Sequence, residues 1–351
     1  DYVFCWLGNA DILLAISNDA LKKLAELPPS EKPAIGRRYL VNITPLIEEK
    51  DLENYEPEEG EDEPEIDAIK PFKMLAEQSN QGKGIERLGV LRMDVDNLGT
   101  LFEGESSLGR INMLSTRIAQ FFEGEVEEIA KEVGSNNLYS IYSGGDDLFF
   151  VGAWDAVVQL SIAIRRALSE IKGIQPKIHA SAGIVLISNK YPLAQAALAT
   201  GEAEQKSKSL SWGEKGEKTK DAITFLGQTF PWEKFSLGEN TVEEMKAQIN
   251  DLLKDNAAKG PIYNLLRLYA QYQEKLKERQ ERKGDSENKT GREQDLWGPW
   301  MWLGYYYLKR NKSEDLRDLG EKLKKDGDFK AMEKVGVATR WAMLLNRTQE
   351  K

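Results

Sequence analysis

Apolar positions recur along this chain with two different periods. Between Pro71 and about residue 235, the runs "RLGVLRMDV", "LYSIYSGGDDLFFVG", "KIHASAGIVLI" and "AITFLG" are short, apolar and rich in β-branched and aromatic residues, which predicts strands. Between them, "FKMLAEQS", "GRINMLSTRIAQFFEGEVEEIAKEVG", "DAVVQLSIAIRRALSEI" and "PLAQAALATGEAEQKSK" return to apolar residues at helical spacing. In the second of these, Ile111, Leu114, Ile118, Phe121, Phe122, Val126 and Ile129 share one helical face. The last opens with proline in its first turn. The resulting order is β-α-β-β-α-β with an added helix and strand. That is the ferredoxin-like order, an α+β fold in which helices cover one face of an antiparallel sheet.

Beyond about residue 235 the strand pattern stops. "TVEEMKAQINDLLKD", with Thr241 and Glu244 at capping-box spacing, begins a series of helical segments that predicts an all-helical terminal domain. The mixed-charge stretch "KERQERKGDSENKTGREQD" reads as an exposed loop, and the aromatic cluster from Trp297 to Tyr307 as bundle core. Residues 1–70 read as the end of an upstream domain plus a linker, so the expected division is 1–70, 71–235 and 236–351. The chain begins at Asp1, and "YVFCWLG" already reads as a buried strand, so a longer polypeptide is expected.

Charge modifies this picture once. The formal net charge is −10, yet residues 48–67 alone hold 12 acidic residues and one lysine. Without that run, read as a solvated linker, the rest sits near +1 (−10 minus −11), so local contact with RNA or nucleotide stays open. The single cysteine, Cys5, excludes an intrachain disulfide framework and a cysteine-built zinc site. The single histidine, His179, excludes a histidine–aspartate metal nuclease site. Both read as core residues. With no apolar run of membrane-spanning length and no signal peptide, a cytoplasmic protein without membrane contact is expected.

The candidate chemistry lies in "RMDVDNLG" at the end of the first strand and "SGGDD" in the hairpin turn. The ferredoxin-like order sets that strand beside the hairpin, so Asp94, Asp96, Asp146 and Asp147 are expected to gather at one sheet edge. Carboxylates so close repel unless a cation lies among them. Oxygen ligands without His or Cys point to magnesium or manganese. Gly144 and Gly145 suit a tight hairpin and leave room for a nucleotide to approach the backbone. The turn through Asn97, Leu98 and Gly99 offers N–H groups to phosphate oxygens. Lys206 and Lys208, on the helix after the fourth strand, offer cations to a triphosphate.

Together, "LGVLRMDVDNLGTLF", "YSGGDDLFFVG", "ASAGIVL", "AEQKSKS" and "AITFLGQTFPWEKF" resemble the Palm, or GGDEF-like cyclase, domain of the large subunit of type III CRISPR effector complexes. The resemblance covers about residues 71–351, the second Palm domain and a C-terminal helical domain; residues 1–70 resemble the end of the inter-Palm region. It implies a nucleotidyltransferase that makes cyclic oligoadenylate from ATP once target RNA is bound, within a complex of other subunits and guide CRISPR RNA. By the resemblance, Asp94, the Val95 backbone, Asp146 and Asp147 hold two Mg²⁺ or Mn²⁺ ions, with these aspartates catalytic. Asn97, Leu98, Gly99, Ser143, Gly144 and Gly145 belong to the nucleotide motifs, and Lys208 matches the phosphate-contacting lysine better than Lys206. The family's histidine–aspartate nuclease domain and its first Palm domain have no counterpart in these residues.

Two other readings stay open. A diguanylate-cyclase-like enzyme shares the fold and the glycine-rich turn, but its turn usually carries a glutamate and a phenylalanine where this chain has "GGDDL". A catalytically silent, RNA-binding scaffold subunit would leave the aspartates without a task.

Overall fold

In the computed structural model the described residues are 41–253, apart from 42, 54, 58–63, 106, 172–176 and 214–215, together with 259–284, 331–347, three short strands before residue 41 and single residues between 305 and 321. Those three strands, β1 (Phe4–Trp6), β2 (Ile12–Leu13) and β3 (Ile35–Gly36), form a small antiparallel sheet in the order β2-β1-β3. The Cys5 side chain lies outside the described residues, as does the aromatic cluster apart from Tyr305 and Tyr306.

The central sheet contains β4 (Leu88–Val95), β5 (Leu138–Gly144), β6 (Asp147–Ala153), β7 (Ala180–Ile187), β10 (Ala222–Phe225) and β11 (Gln228–Pro231). A two-strand ladder, β8 (Ser211–Trp212) with β9 (Lys218–Thr219), stands apart. The central order is β11-β10-β7-β4-β6-β5. Its core, β7-β4-β6-β5, is the ferredoxin-like arrangement the sequence predicts. The extension departs from a purely antiparallel sheet, because β10 runs parallel to β7 before turning back into β11.

Alternate residues of β4 enter two different cores. Leu91, Met93 and Val95 join the large cluster, while Leu88 and Val90 join a smaller one. β6 divides in the same way, with Leu148 and Phe150 on one side and Phe149 and Val151 on the other. A strand apolar at both parities needs cover on both faces. The expectation of helices on one face is therefore corrected. Helices Leu108–Gln120, Val126–Gly134 and Trp154–Glu170 cover the first face, and Phe72–Glu77 with Leu193–Lys208 cover the second. Gly183 makes the second packing possible: a Cβ there would lie 2.4 Å from the Glu204 nitrogen.

The long helix of the first face is interrupted by a π-helical turn, Phe121–Glu125. The wider turn lets the adjacent Phe121 and Phe122 both reach the core. Helices Val242–Leu253, Lys259–Gly284 and Ala331–Asn346 follow the sheet. Trp341 stacks on Phe235 at 5.7 Å and meets Phe225 edge-on at 5.3 Å, so one apolar cluster runs from sheet to final helix.

The acidic run is more than a solvated linker. Its Asp51 forms a buried ion pair with Lys70 at 2.9 Å and accepts a hydrogen bond from the Gln78 amide at 2.8 Å. His179 is likewise not a core residue, since its side chain is 46% exposed beside Asp221. No helix among the described residues is long and apolar enough to cross a membrane.

Candidate active site

Asp94 and Asp147 are direct register partners on the adjacent antiparallel strands β4 and β6. Side chains opposite each other in such a pair share a face. That face is the one covered by the helix Leu193–Lys208. Gly144 pairs with Asp147 around a two-residue turn, Gly145–Asp146, and Gly145 has φ +70°, a geometry glycine takes without a Cβ clash. The Asp146 carbonyl accepts the Val95 N–H at 2.9 Å, which fastens the turn to the end of β4.

Asp146 senses the other two carboxylates. Burial, then the charges of Asp94 and Asp147, push the Asp146 carboxyl above its usual range. Asp147 accepts the Tyr142 hydroxyl at 2.7 Å, and burial together with that carboxylate raises the phenol to about 12. Asp94 receives the ammonium of Lys208, which also pairs with Glu204 at 2.8 Å. Burial opposes the charged lysine, but Asp94 and Glu204 together outweigh it and raise its pKa. Glu204 is buried and lies 3.5 Å from the Arg92 guanidinium.

Asp96 does not join this group. Its carboxylate is buried, accepts the Ser181 hydroxyl at 3.0 Å and the Asp221 N–H at 2.9 Å, and is pushed up by burial. Ser143 is also turned inward: its hydroxyl donates to the Phe122 carbonyl in the π-turn at 2.6 Å. Lys206 is exposed and lies about 200° round the helix from Lys208. Of the two lysines, Lys208 is the one at the carboxylates.

Asn97 takes a left-handed conformation, φ 56°, immediately before the helix Leu98–Glu103. The first N–H groups of that helix have no helical acceptor. Nothing lies within 4 Å of the place a Cβ would occupy on Gly99 or on Gly145, so both glycines border open space. Leu98 packs partly against the core and anchors the turn.

Among the described residues no three His, Cys, Asp or Glu side chains form a ready metal cage. The donor chemistry nevertheless fits a hard divalent ion. Asp94 and Asp147 lie opposite each other on two strands with Asp146 in the turn between β5 and β6, the first two raise the Asp146 carboxyl by their charge, and a cation, the Lys208 ammonium, already rests on Asp94.

Sequence reading missed Tyr142, Arg92, Glu204, Ser181 and Asp221. Glu204 had a signal, since it lies four residues before Lys208 on one helix face. The others become neighbours only through strand register.

The sheet order, the acidic hairpin turn and the lysine-bearing helix define a palm domain of the nucleotidyl-cyclase type. Residues 87–224 match the family model described as "Cas10/Cmr2, second palm domain". Over these residues the chain is similar to that palm domain.

The chain is 35% identical over 201 residues to "CRISPR system single-strand-specific deoxyribonuclease Cas10/Csm1 (subtype III-A)" of Enterococcus italicus, covering 55% of this chain and 25% of that protein. The Mycobacterium tuberculosis protein of the same name is 34% identical over 218 residues, covering 56% and 26%. The chain thus spans about a quarter of the length of these curated relatives. Among solved structures, the apo Csm1-Csm4 cassette superposes with a TM-score of 0.62 at 19% identity, covering 92% of this chain and 42% of that one. The same cassette in complex with cA4 gives 0.58 at 19% identity, covering 80% and 39%. These likenesses bear on the fold.

Proposed function

We propose that this chain is the catalytic palm of a metal-dependent nucleotidyltransferase that joins ATP units into cyclic oligoadenylate, within the large subunit of a type III CRISPR complex switched on by target RNA. The observation that carries the reading is the placement of Asp94 opposite Asp147 on adjacent strands, with Asp146 in the adjoining turn and Lys208 on Asp94. Support comes also from neighbours of the same fold, solved "in complex with one ATP" and "in complex with cA4", and from their assembly with Csm4. Other effector subunits, guide RNA and target RNA are the partners this reading implies.

In the proposed reaction a ribose hydroxyl of one nucleotide attacks the α-phosphorus of an ATP and pyrophosphate leaves. Bound Mg²⁺ or Mn²⁺ would lower the cost of deprotonating the hydroxyl and neutralise charge on the leaving group. Asp94, Asp146, Asp147 and the Val95 carbonyl would hold it. Tyr142 orients the Asp147 carboxylate through its hydrogen bond. Lys208, released from Asp94, contributes positive charge to the phosphates, and Glu204 retains its stem in place. The open backbone at Asn97, Leu98, Gly99 and at Gly144–Gly145 accommodates the triphosphate. Positioning and electrostatics carry most of the rate in such transfers.

The test is mass spectrometry of products from the full-length protein in its complex, given magnesium, target RNA and either ATP or GTP. Cyclic oligoadenylate from ATP is the expected result. Product from GTP alone would move the chain to the diguanylate-cyclase-like reading, and no product with intact assembly would make it a scaffold.

A further inference from the structure

Lys220 and Asp221, the two residues leading into β10, both have left-handed backbones, with φ 61° and 49°. Side chains with a Cβ adopt this conformation reluctantly, and it persists where the surroundings over-determine it. Here they do. The Lys220 N–H donates to the Leu210 carbonyl at 3.0 Å, and the Lys220 carbonyl accepts the Trp212 indole N–H at 2.8 Å. The Asp221 carbonyl accepts the Trp232 N–H at 3.0 Å. The Asp221 carboxylate pairs with Arg165, which is 3% exposed, at 2.7 Å and lies 3.2 Å from His179 Nδ1.

From this braced dipeptide two bonds reach the turn after Asp94. The Asp221 N–H donates to Asp96 Oδ2 at 2.9 Å, and Lys220 Nζ donates to Asn97 Oδ1 at 2.6 Å. Asn97 is itself left-handed. The other Asp96 oxygen is buried without a partner, so the bonds from Asp221 and Ser181 are what hold that carboxylate. Leu210, the anchor on the opposite side, lies two residues beyond Lys208. One strained dipeptide therefore spans the gap between the end of the lysine helix and the turn that carries Asp96 to Gly99.

We infer that Lys220 and Asp221 form a positioning strap that holds the Asp96–Gly99 turn in register with Lys208 for triphosphate binding. This rests on the nucleotidyl-transfer reading above. Lys220 is the informative position because it reaches the turn through one surface side-chain bond, to Asn97: its removal leaves the Arg165–Asp221 pair intact, whereas loss of Asp221 would disturb folding.

The test compares the full chain with Lys220→Met, Lys220→Arg and Asn97→Ala. Without nucleotide, amides of residues 96–101 in Lys220→Met should exchange about tenfold faster, with an unchanged melting temperature. With manganese and a non-hydrolysable ATP analogue, its affinity should fall about tenfold, Lys220→Arg should restore it, and adding Asn97→Ala should cause no further loss. Unchanged exchange in Lys220→Met would overturn the strap. So would losses from Lys220→Met and Asn97→Ala that multiply, because the lysine would then act on phosphate independently of the turn. A wild-type chain that binds neither ATP nor GTP analogues would instead overturn the nucleotide reading and, with it, the purpose assigned to the strap. Faster exchange in Lys220→Met would even then show that the strap orders the turn.

Discussion

The ammonium of Lys208 rests on the carboxylate of Asp94, joining residues 114 positions apart in the chain. Asp94 is the last residue but one of the central strand β4, and Lys208 ends the helix laid across it. The contact puts a protein cation where the proposed chemistry needs a metal or a phosphate partner, so on that proposal the lysine would compete with the metal before substrate arrives and hold phosphate afterwards.

Lys208→Met should therefore act in opposite directions on two ligands. Without nucleotide, manganese binding should tighten, because Asp94 loses its neutralising partner. ATP-analogue affinity should weaken about tenfold, the loss of one charge-assisted phosphate contact. Titration calorimetry with each ligand checks both signs. Equal weakening of both would show that the lysine serves the fold rather than exchange.

Alanine at both Asp146 and Asp147 should lower oligoadenylate synthesis by more than about 100-fold, beyond what loss of an outer-shell partner costs. Complex assembly should persist, because Asp146 lies in the hairpin turn and Asp147 at the start of β6, neither of them in the apolar core. Asp146→Asn alone should also stop synthesis while raising the melting temperature at pH 7. Its carboxyl is held above the ordinary value, so the charged form opposes folding at pH above that raised value. The stability difference should shrink as acid protonates Asp146 in the wild type. Size-exclusion chromatography, product analysis and melting curves at two pH values test this set.

Gly183→Ala should loosen the helix Leu193–Lys208 from the sheet. The new Cβ would meet the Glu204 nitrogen at 2.4 Å and the Thr200 carbonyl at 2.7 Å, both backbone atoms that cannot swing aside. Overpacking of this kind costs about 1–3 kcal/mol. A urea midpoint equal to wild type would contradict this packing.

Lys70→Met should destabilise the protein by roughly 3–5 kcal/mol near neutral pH, since it leaves Asp51 charged and buried. Burial opposes the Asp51 charge, but Lys70, the Glu48 backbone and Gln78 outweigh it and hold the carboxyl below its ordinary value. Stability from this pair is therefore present above the unfolded carboxylate pKa and is lost as pH falls through the lower folded value. The gap between variant and wild type should close over that acidic range, which chemical denaturation at several pH values would reveal.

Much of the sheet was legible because apolar periodicity and glycine-rich turns are local signals. The four strands from β4 to β7 and their order follow from "RLGVLRMDV", the interrupted hairpin and the intervening amphipathic helices. Cover on the second face was written in the same strands, since Leu88 and Val90 are as apolar as Leu91 and Met93. The parallel entry of β10 was not, because strand direction next to β7 depends on where a connecting helix returns the chain.

At the site, the identity of the acidic turn is a property of the sequence: paired carboxylates between two glycines and an apolar strand have a restricted set of uses. The resemblance set Asp96 apart from the other aspartates, but the physical separation came only with the tertiary structure. Asp94 faces the lysine helix, whereas Asp96, just beyond the strand, enters a buried network with Ser181 and Asp221. Spacing along a chain tells which residues share a strand face, but a turn breaks that rule. The resemblance already favoured Lys208 over Lys206; the physical reason, contact with Asp94, needed the packing of one helix, through Gly183, on one face of the sheet. Local chemistry therefore declared which groups were present, and long-range register decided which of them meet.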